Sequence, residues 1–203
     1  MKNSIKPISK EHPLILASGS PRRVELLRQV GVPFSVVPSL VEENETAVKP
    51  AGLAIELALA KALEVAGRIT GQWVLGADTV VVVGGEILGK PVNEKDAARM
   101  LRLLSGRSHF VTTGFAVVDP AGGAAHCQAP TTEVRVKTLC ENEISGYIAT
   151  GEPFGKAGAY AVQGVGAFLV GGLKGSYTNV VGLPLFQVLE ALVRTGAVER
   201  FPM

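Results

Sequence analysis

The sequence is poor in the residues that build several protein classes. Two cysteines among 203 residues, Cys127 and Cys140, are too few for a disulfide scaffold and lack the paired spacing of a zinc site. They suit a reducing compartment, and a cytoplasmic location is expected. A single tryptophan, with aromatics at 5% of residues, leaves few platforms on which nucleic-acid bases could stack. Neither sign of charge dominates, since 20 basic against 18 acidic residues give a net +2. That balance argues against a general polyanion-binding surface, so no stable nucleic-acid partner is expected and any phosphate chemistry must rest on a local cluster. Long apolar runs are also missing. The longest, Trp73 to Val83, is interrupted by Asp78 and falls short of the roughly 20 residues that cross a bilayer, so no membrane association is expected. Met1 to Glu11 lack the apolar stretch and cleavage pattern of a signal peptide, and residues 1–12 read as a frayed extension.

What is present is 47% hydrophobic residues, 24 glycines and 12 prolines, enough for one compact core with many tight turns. One domain is expected over residues 1–203, with two lobes. Pro13 to Ala17 reads as a short strand, and Val24, Leu26, Leu27 and Val30 have helical spacing after it. Phe34 to Val37 predicts a second strand, Glu42 to Pro50 an acidic loop, and Ala51 to Arg68 a helix. Trp73 to Val83 has the β-branched character of a strand buried on both faces, and Gly84-Gly85 turns it back into Glu86 to Leu88. Asn93 is an N-cap for a helix over 94–104. His109 to Val118 and Thr131 to Leu139 predict an antiparallel pair separated by a turn at Pro120 to Ala125. Glu141 to Thr150 predicts a helix, Gly151 to Gly158 a loop, Ala159 to Val170 a strand region, Lys174 to Gly182 a loop, and Leu183 to Arg194 an amphipathic helix.

The first strand-to-helix loop carries the clearest chemistry. Ser18 and Ser20 flank Gly19, Pro21 suits the first helical position, and Arg22 and Arg23 fall in the first turn. Arginine there opposes the helix dipole by about 0.3–1 kcal/mol when exposed. An anion held by the two guanidinium groups and the free backbone N–H groups would remove the conflict. The competing reading is a Ser-capped helix with solvated arginines. A Walker A loop is excluded, because no Gly-Lys-Ser/Thr follows the glycine.

Asp78 is an isolated carboxylate inside an apolar strand, a costly placement unless it meets a cation, a metal or a hydrogen-bond network. It reads as a general base or metal ligand, or else as the cap of a turn or the partner of a core arginine. Glu42 and Glu43 could join it around a divalent ion as hard oxygen ligands. Lys61 and Lys90 could supply fixed positive charge to a phosphate chain. Gln163 is an amide in a small-residue stretch, able to read a base edge through its donor and acceptor.

Six ordered blocks then carry a resemblance. They are Leu14 to Arg23 (LILASGSPRR), Gly76 to Val80 (GADTV), Gly89 to Pro91 (GKP), Leu104 to His109 (LSGRSH), Lys156 to Tyr160 (KAGAY) and Gly175 to Pro184 (GSYTNVVGLP). Together they resemble the Maf family of nucleotide pyrophosphatases over nearly the whole chain. The resemblance implies an α/β fold with an elongated mixed sheet flanked by helices, in two lobes around a deep cleft, as in the Maf/ITPase-like proteins. It implies a hydrolase of phosphoric anhydrides that converts nucleoside triphosphates to monophosphate and pyrophosphate with a divalent metal cation, Mg2+ or Mn2+.

By the same resemblance Asp78 is the proton acceptor, Glu42 or Glu43 lies near the metal with Asp78, and Arg22, Arg23, Lys61 and Lys90 bind the phosphates; the loop hydroxyls Ser18 and Ser20 are expected to bind substrate beside them. Arg22, Thr79 and Gln163 match the positions that separate a dTTP/UTP branch from a 7-methyl-GTP branch, and they have the character of the former. The alternatives are 7-methyl-GTP, modified pyrimidine triphosphates that the enzyme would remove, or a nucleotide-binding regulator of septum formation. Relatives in the family are often dimeric, which implies a homodimer. Gly155 departs from the family pattern, where an acidic residue commonly precedes the lysine.

Overall fold

The structure, a computed structural model, describes residues 6–41 and 50–203. Its strands form a mixed sheet in the order β2-β1-β3-β5-β7-β8, with β4 added to β3 and β6 to β5. The strands are β1 (Leu14–Leu16), β2 (Phe34–Val36), β3 (Val74–Val83), β4 (Glu86–Leu88), β5 (Ser108–Val118), β6 (Ala124–Gln128), β7 (Thr131–Val136) and β8 (Val170–Lys174). The helices are α1 (Pro21–Gln29), α2 (Pro50–Arg68), α3 (Glu94–Leu104), α4 (Glu141–Ala149), α5 (Tyr177–Val181) and α6 (Leu185–Arg194). The expected mixed α/β architecture is therefore present. The chain divides into two compact units, one of Met1–Asp78, Thr113–Pro130 and Gly182–Met203, the other of Thr79–Thr112 and Thr131–Val181.

In the first unit β1 pairs in parallel with β2 on one side and β3 on the other, with Leu16 opposite both Val36 and Leu75. Its core gathers Ile15, Ala17, Val74, Ala116 and Val118 with Ala58, Ala62 and Val65 of α2. Two glycines set how closely α2 lies on the strands. A Cβ on Gly76 would stand 2.1 Å from the Ala58 carbonyl oxygen, and one on Gly114 would stand 2.2 Å from that of Ala54. Ala54, Ala58 and Ala62 recur every four residues, so the helix presents one stripe of small side chains to bare strand backbone. Residues 6–12 correct the expectation of a frayed extension. Ile8 is buried and its N–H donates to the Ala197 carbonyl at 2.7 Å, while Trp73 Nε1 donates to the Lys6 carbonyl at 3.0 Å. A single apolar residue found a tertiary partner that no local pattern announces.

In the second unit β3 turns into β4 with Val83 opposite Glu86, as the Gly84-Gly85 turn predicts. Asn93 caps α3 by accepting from the Asp96 N–H at 2.9 Å. β5 pairs antiparallel with β7, and β7 with β8. The core here joins Leu101, Leu104, Val134, Ile144, Tyr147 and Leu169. The expected strand over 159–170 is instead a pair of 3-10 turns, Ala157–Ala159 and Gly164–Leu169, with β8 beginning only at Val170. Gly158 and Gly164 have φ of 74° and 64°, left-handed values that interrupt an extended chain. The loop expected over 174–182 contains the short helix α5.

Candidate active site

The order β2-β1-β3 places a topological switch point at the carboxyl end of β1, because the chain leaves β1 for a neighbour on one side and later returns on the other. Crevices beyond the carboxyl ends of such strands are where α/β sheets hold ligands. β1 leaves the sheet two residues past the Leu16–Leu75 pair, so Ser18 emerges level with Gly76 to Asp78. The Ala17 N–H still donates to the Leu75 carbonyl at 2.8 Å, which keeps the exit point fixed.

The Ser18 to Arg23 loop differs from an ordinary Ser-capped helix. Ser20 occupies the N-cap position of α1, yet its side chain makes no cap bond, and the first turn holds no acidic residue. Ser18 does the local work instead. Its Oγ accepts from the Ser20 N–H at 3.3 Å and from Arg23 Nη1 at 2.9 Å. Arg23 Nε donates to the Gly182 carbonyl at 2.8 Å. Arg23 is thus a strut between the loop and the Gly182-Leu183-Pro184 segment. Pro21 and Arg22 complete a first turn whose electrostatics favour an anion.

Asp78 and Lys61 form the second feature. Lys61 Nζ stands 2.6 Å from Asp78 Oδ1, and both residues are buried at 7% exposure. Gly76 and Asp78 lie two apart on β3 and so share the face that α2 covers. The glycine contact seats the helix, and Lys61, next to Ala62, reaches the carboxylate. The isolated strand aspartate therefore has a cation partner, supplied by a lysine on the small-residue helix. In such surroundings the pair is interdependent, since each member offsets buried charge on the other.

The remaining expected residues are placed as follows. Thr79, partly buried, follows Asp78 on the alternate face of β3. Lys90 is exposed in the Gly89 to Pro91 turn, which is tied to the next loop by the Gly158 N–H donating to the Gly89 carbonyl at 3.0 Å. Gln163 is the N-cap residue of the 3-10 turn Gly164–Leu169 and makes no side-chain cap bond. Gly155 sits at φ 72°, a left-handed position that the glycine fits without strain. Glu42 and Glu43 lie outside the described residues. Among the described residues no group of three or more His, Cys, Asp or Glu side chains could hold a metal by itself. Asp78 offers hard carboxylate oxygen, which fits Mg2+ or Mn2+ and not a soft thiolate-preferring ion.

Gly182, whose carbonyl receives Arg23, has a role that residue reasoning did not find. The two positions are 159 residues apart and the contact is to backbone, so no side-chain signal marks it.

A family model described as Maf-like protein matches residues 13–195. A dTTP/UTP pyrophosphatase of Syntrophotalea carbinolica is 54% identical over 198 residues, covering 96% of this chain and 90% of that protein. A dTTP/UTP pyrophosphatase of Geobacter sulfurreducens is 54% identical over 185 residues, covering 91% of this chain and 97% of that one. A solved nucleoside-triphosphatase/dITP/XTP pyrophosphatase of Mycobacterium abscessus covers 90% of this chain and 95% of its own at 18% identity and a TM-score of 0.46, a likeness too distant to build on. No helix among the described residues is long and apolar enough to cross a membrane.

Proposed function

The chain belongs to the Maf-like family, and from that premise we propose that it hydrolyses nucleoside triphosphates, dTTP and UTP foremost, to the monophosphate and pyrophosphate. The observation that carries this reading is the buried Lys61–Asp78 pair at the level where the Ser18 to Arg23 loop leaves β1. An anion-favouring turn beside an oriented carboxylate suits phosphoryl chemistry, in which positioning and charge stabilisation do most of the work. The relatives named dTTP/UTP pyrophosphatase, at 54% identity over most of their length, support the substrate class. The family match runs through both units, which supports reading the chain as one functional domain.

In the proposed mechanism the Ser18 to Ser20 backbone and Arg22 bind the phosphate chain, and Arg23 holds the loop in shape while adding positive charge. Asp78, fixed at Oδ1 by Lys61, takes a proton from the water that attacks the α-phosphorus. Lys61 and Lys90 add positive charge that offsets the negative charge of the departing pyrophosphate. A divalent cation held by Asp78 with Glu42 or Glu43 would act as a Lewis acid on the phosphate oxygens. Arg22, Thr79 and Gln163 set the nucleobase preference. The reading includes a cytoplasmic location and association as a homodimer.

Pyrophosphate release from a panel of dTTP, UTP, GTP and 7-methyl-GTP, with Mg2+ and with Mn2+, tests the proposal. The expected result is monophosphate and pyrophosphate in equal amounts, with dTTP and UTP turned over fastest. Orthophosphate as the first product, or preference for 7-methyl-GTP, would refute it.

A further inference from the structure

A polar network around Gln163 is not accounted for by the reaction itself. Gln163 stands at the N-terminus of the 3-10 turn Gly164–Leu169, where an N-cap side chain ordinarily accepts the first free N–H groups. Gln163 does not do so. The carboxylate of Glu152 takes that place from the preceding loop, with Oε2 accepting from the Val165 N–H at 2.9 Å and Oε1 from the Gly166 N–H at 3.3 Å. On the other side of Gln163, the Ala161 N–H donates to Tyr147 Oη at 3.1 Å, and the tyrosine is buried in the core. The backbone is therefore pinned two residues before Gln163 and two and three residues after it.

The pins are themselves anchored. The Glu152 N–H donates to Thr150 Oγ1 at 3.1 Å, and Thr150 Oγ1 donates to the Tyr147 carbonyl at 2.6 Å, which ties Glu152 to the end of α4. Lys156 Nζ donates to the Glu152 carbonyl. Gly166 fits so closely that an added Cβ would stand 2.5 Å from Tyr147 Oη and 2.4 Å from the Ala161 carbonyl oxygen. A single purpose accounts for these features together. An amide used for capping would point into its own turn, whereas an amide relieved of capping, on a backbone held from both sides, keeps its donor and acceptor for a ligand.

We propose that Glu152 and Tyr147 are positioning residues for nucleobase selection, Glu152 capping the turn in place of Gln163 and Tyr147 fixing the strand-like approach to it. The inference rests on reading Gln163 as the residue that meets the base. Glu152 and Tyr147 touch no substrate in this account, and they act through Gln163 alone.

The test measures kcat and KM for dTTP, UTP and GTP in the full chain carrying Gln163→Ala, Glu152→Ala, Glu152→Gln or Tyr147→Phe, with melting temperatures alongside. Gln163→Ala is expected to lower the dTTP-over-GTP ratio of kcat/KM by about tenfold, the scale of one misplaced or missing polar contact. Glu152→Ala is expected to lower it comparably, mainly through KM for dTTP. Glu152→Gln, which keeps an acceptor oxygen, is expected to restore most of the ratio, and Tyr147→Phe to shift it in the same direction as Glu152→Ala. An equal fall on all three nucleotides, or no fall, in Glu152→Ala while Gln163→Ala changes the ratio would overturn the positioning role. An unchanged ratio in Gln163→Ala would overturn the base-reading assignment and this inference with it. If Glu152→Ala does not fold, Tyr147→Phe carries the same test, and an unchanged ratio there is the overturning result.

Discussion

Asp78 and Lys61 define one another. Each is buried, and each neutralises a charge that the other would leave exposed to an apolar interior. Asp78→Asn removes the proposed proton acceptor and the charge that faces Lys61 Nζ. Turnover of dTTP is expected to fall by about 10²–10⁴-fold, the usual contribution of a general base, and stability to fall as the buried ion pair is lost. Steady-state kinetics and urea unfolding read the two effects separately, and near-normal turnover in a folded variant would remove Asp78 from the mechanism. A second residue gives the protein a pH signature unrelated to catalysis. His109 is buried against Tyr160, with Nε2 2.7 Å from the tyrosine oxygen, and burial pulls its pKa down to about 4. The unfolded chain, where histidine titrates near about 6.5, takes up the proton first as pH falls. Stability is therefore full above about pH 6.5 and is lost progressively as pH drops towards 4, by about 3 kcal/mol in all. Urea midpoints between these limits should fall more steeply in the wild type than in His109→Gln.

At the scale of elements, the closeness of α2 to the strands governs the site. The cost of a methyl group at Gly76 or Gly114 is borne by backbone, since the atoms it would meet are the carbonyl oxygens of Ala58 and Ala54. Gly76→Ala must therefore push the helix away and draw Lys61 from Asp78. A loss of about 1–3 kcal/mol is expected, or roughly 2–4 °C in Tm per kcal/mol for a chain of this size, together with reduced turnover. A variant with unchanged melting and activity would show that the contact is slack.

This coupling also marks what could be read from the sequence. The strand-loop-helix of β1 and α1, the buried β3, its hairpin and the Asn93 cap each have local causes, in proline at N1, a β-branched run, paired glycines and a short polar side chain. That Asp78 needed a cation, a metal or a hydrogen-bond network was legible as well. That its partner was Lys61 was not, because the pairing depends on how α2 seats on β3. The same holds for the 3-10 turn Gly164–Leu169, which falls within the apolar, small-residue stretch Ala159 to Val170 and so reads as strand. Its cap comes from Glu152, beyond any local window. β6 fell within what looked like a turn and a connector, and α5 is too short to show a helical period.

For the molecule as a whole, net charge is nearly balanced while the Ser18 to Arg23 loop concentrates arginine, so the proposed attraction for a nucleotide should be local and salt-sensitive only over a few charges. Arg22→Ala is expected to raise KM for dTTP by about tenfold or more through loss of a charge-assisted contact. Arg23→Ala should also lower stability by about 1–3 kcal/mol, because it unfastens Ser18 and Gly182. Equal melting temperatures for the two variants would contradict the strut role of Arg23.

In the proposed reaction water attacks the α-phosphorus and pyrophosphate leaves intact. Hydrolysis of dTTP by the full chain in heavy-oxygen water, with both products analysed by mass spectrometry, tests it most directly. The label is expected in dTMP, with none in pyrophosphate. Label in pyrophosphate, or labelled orthophosphate with dTDP, would contradict it.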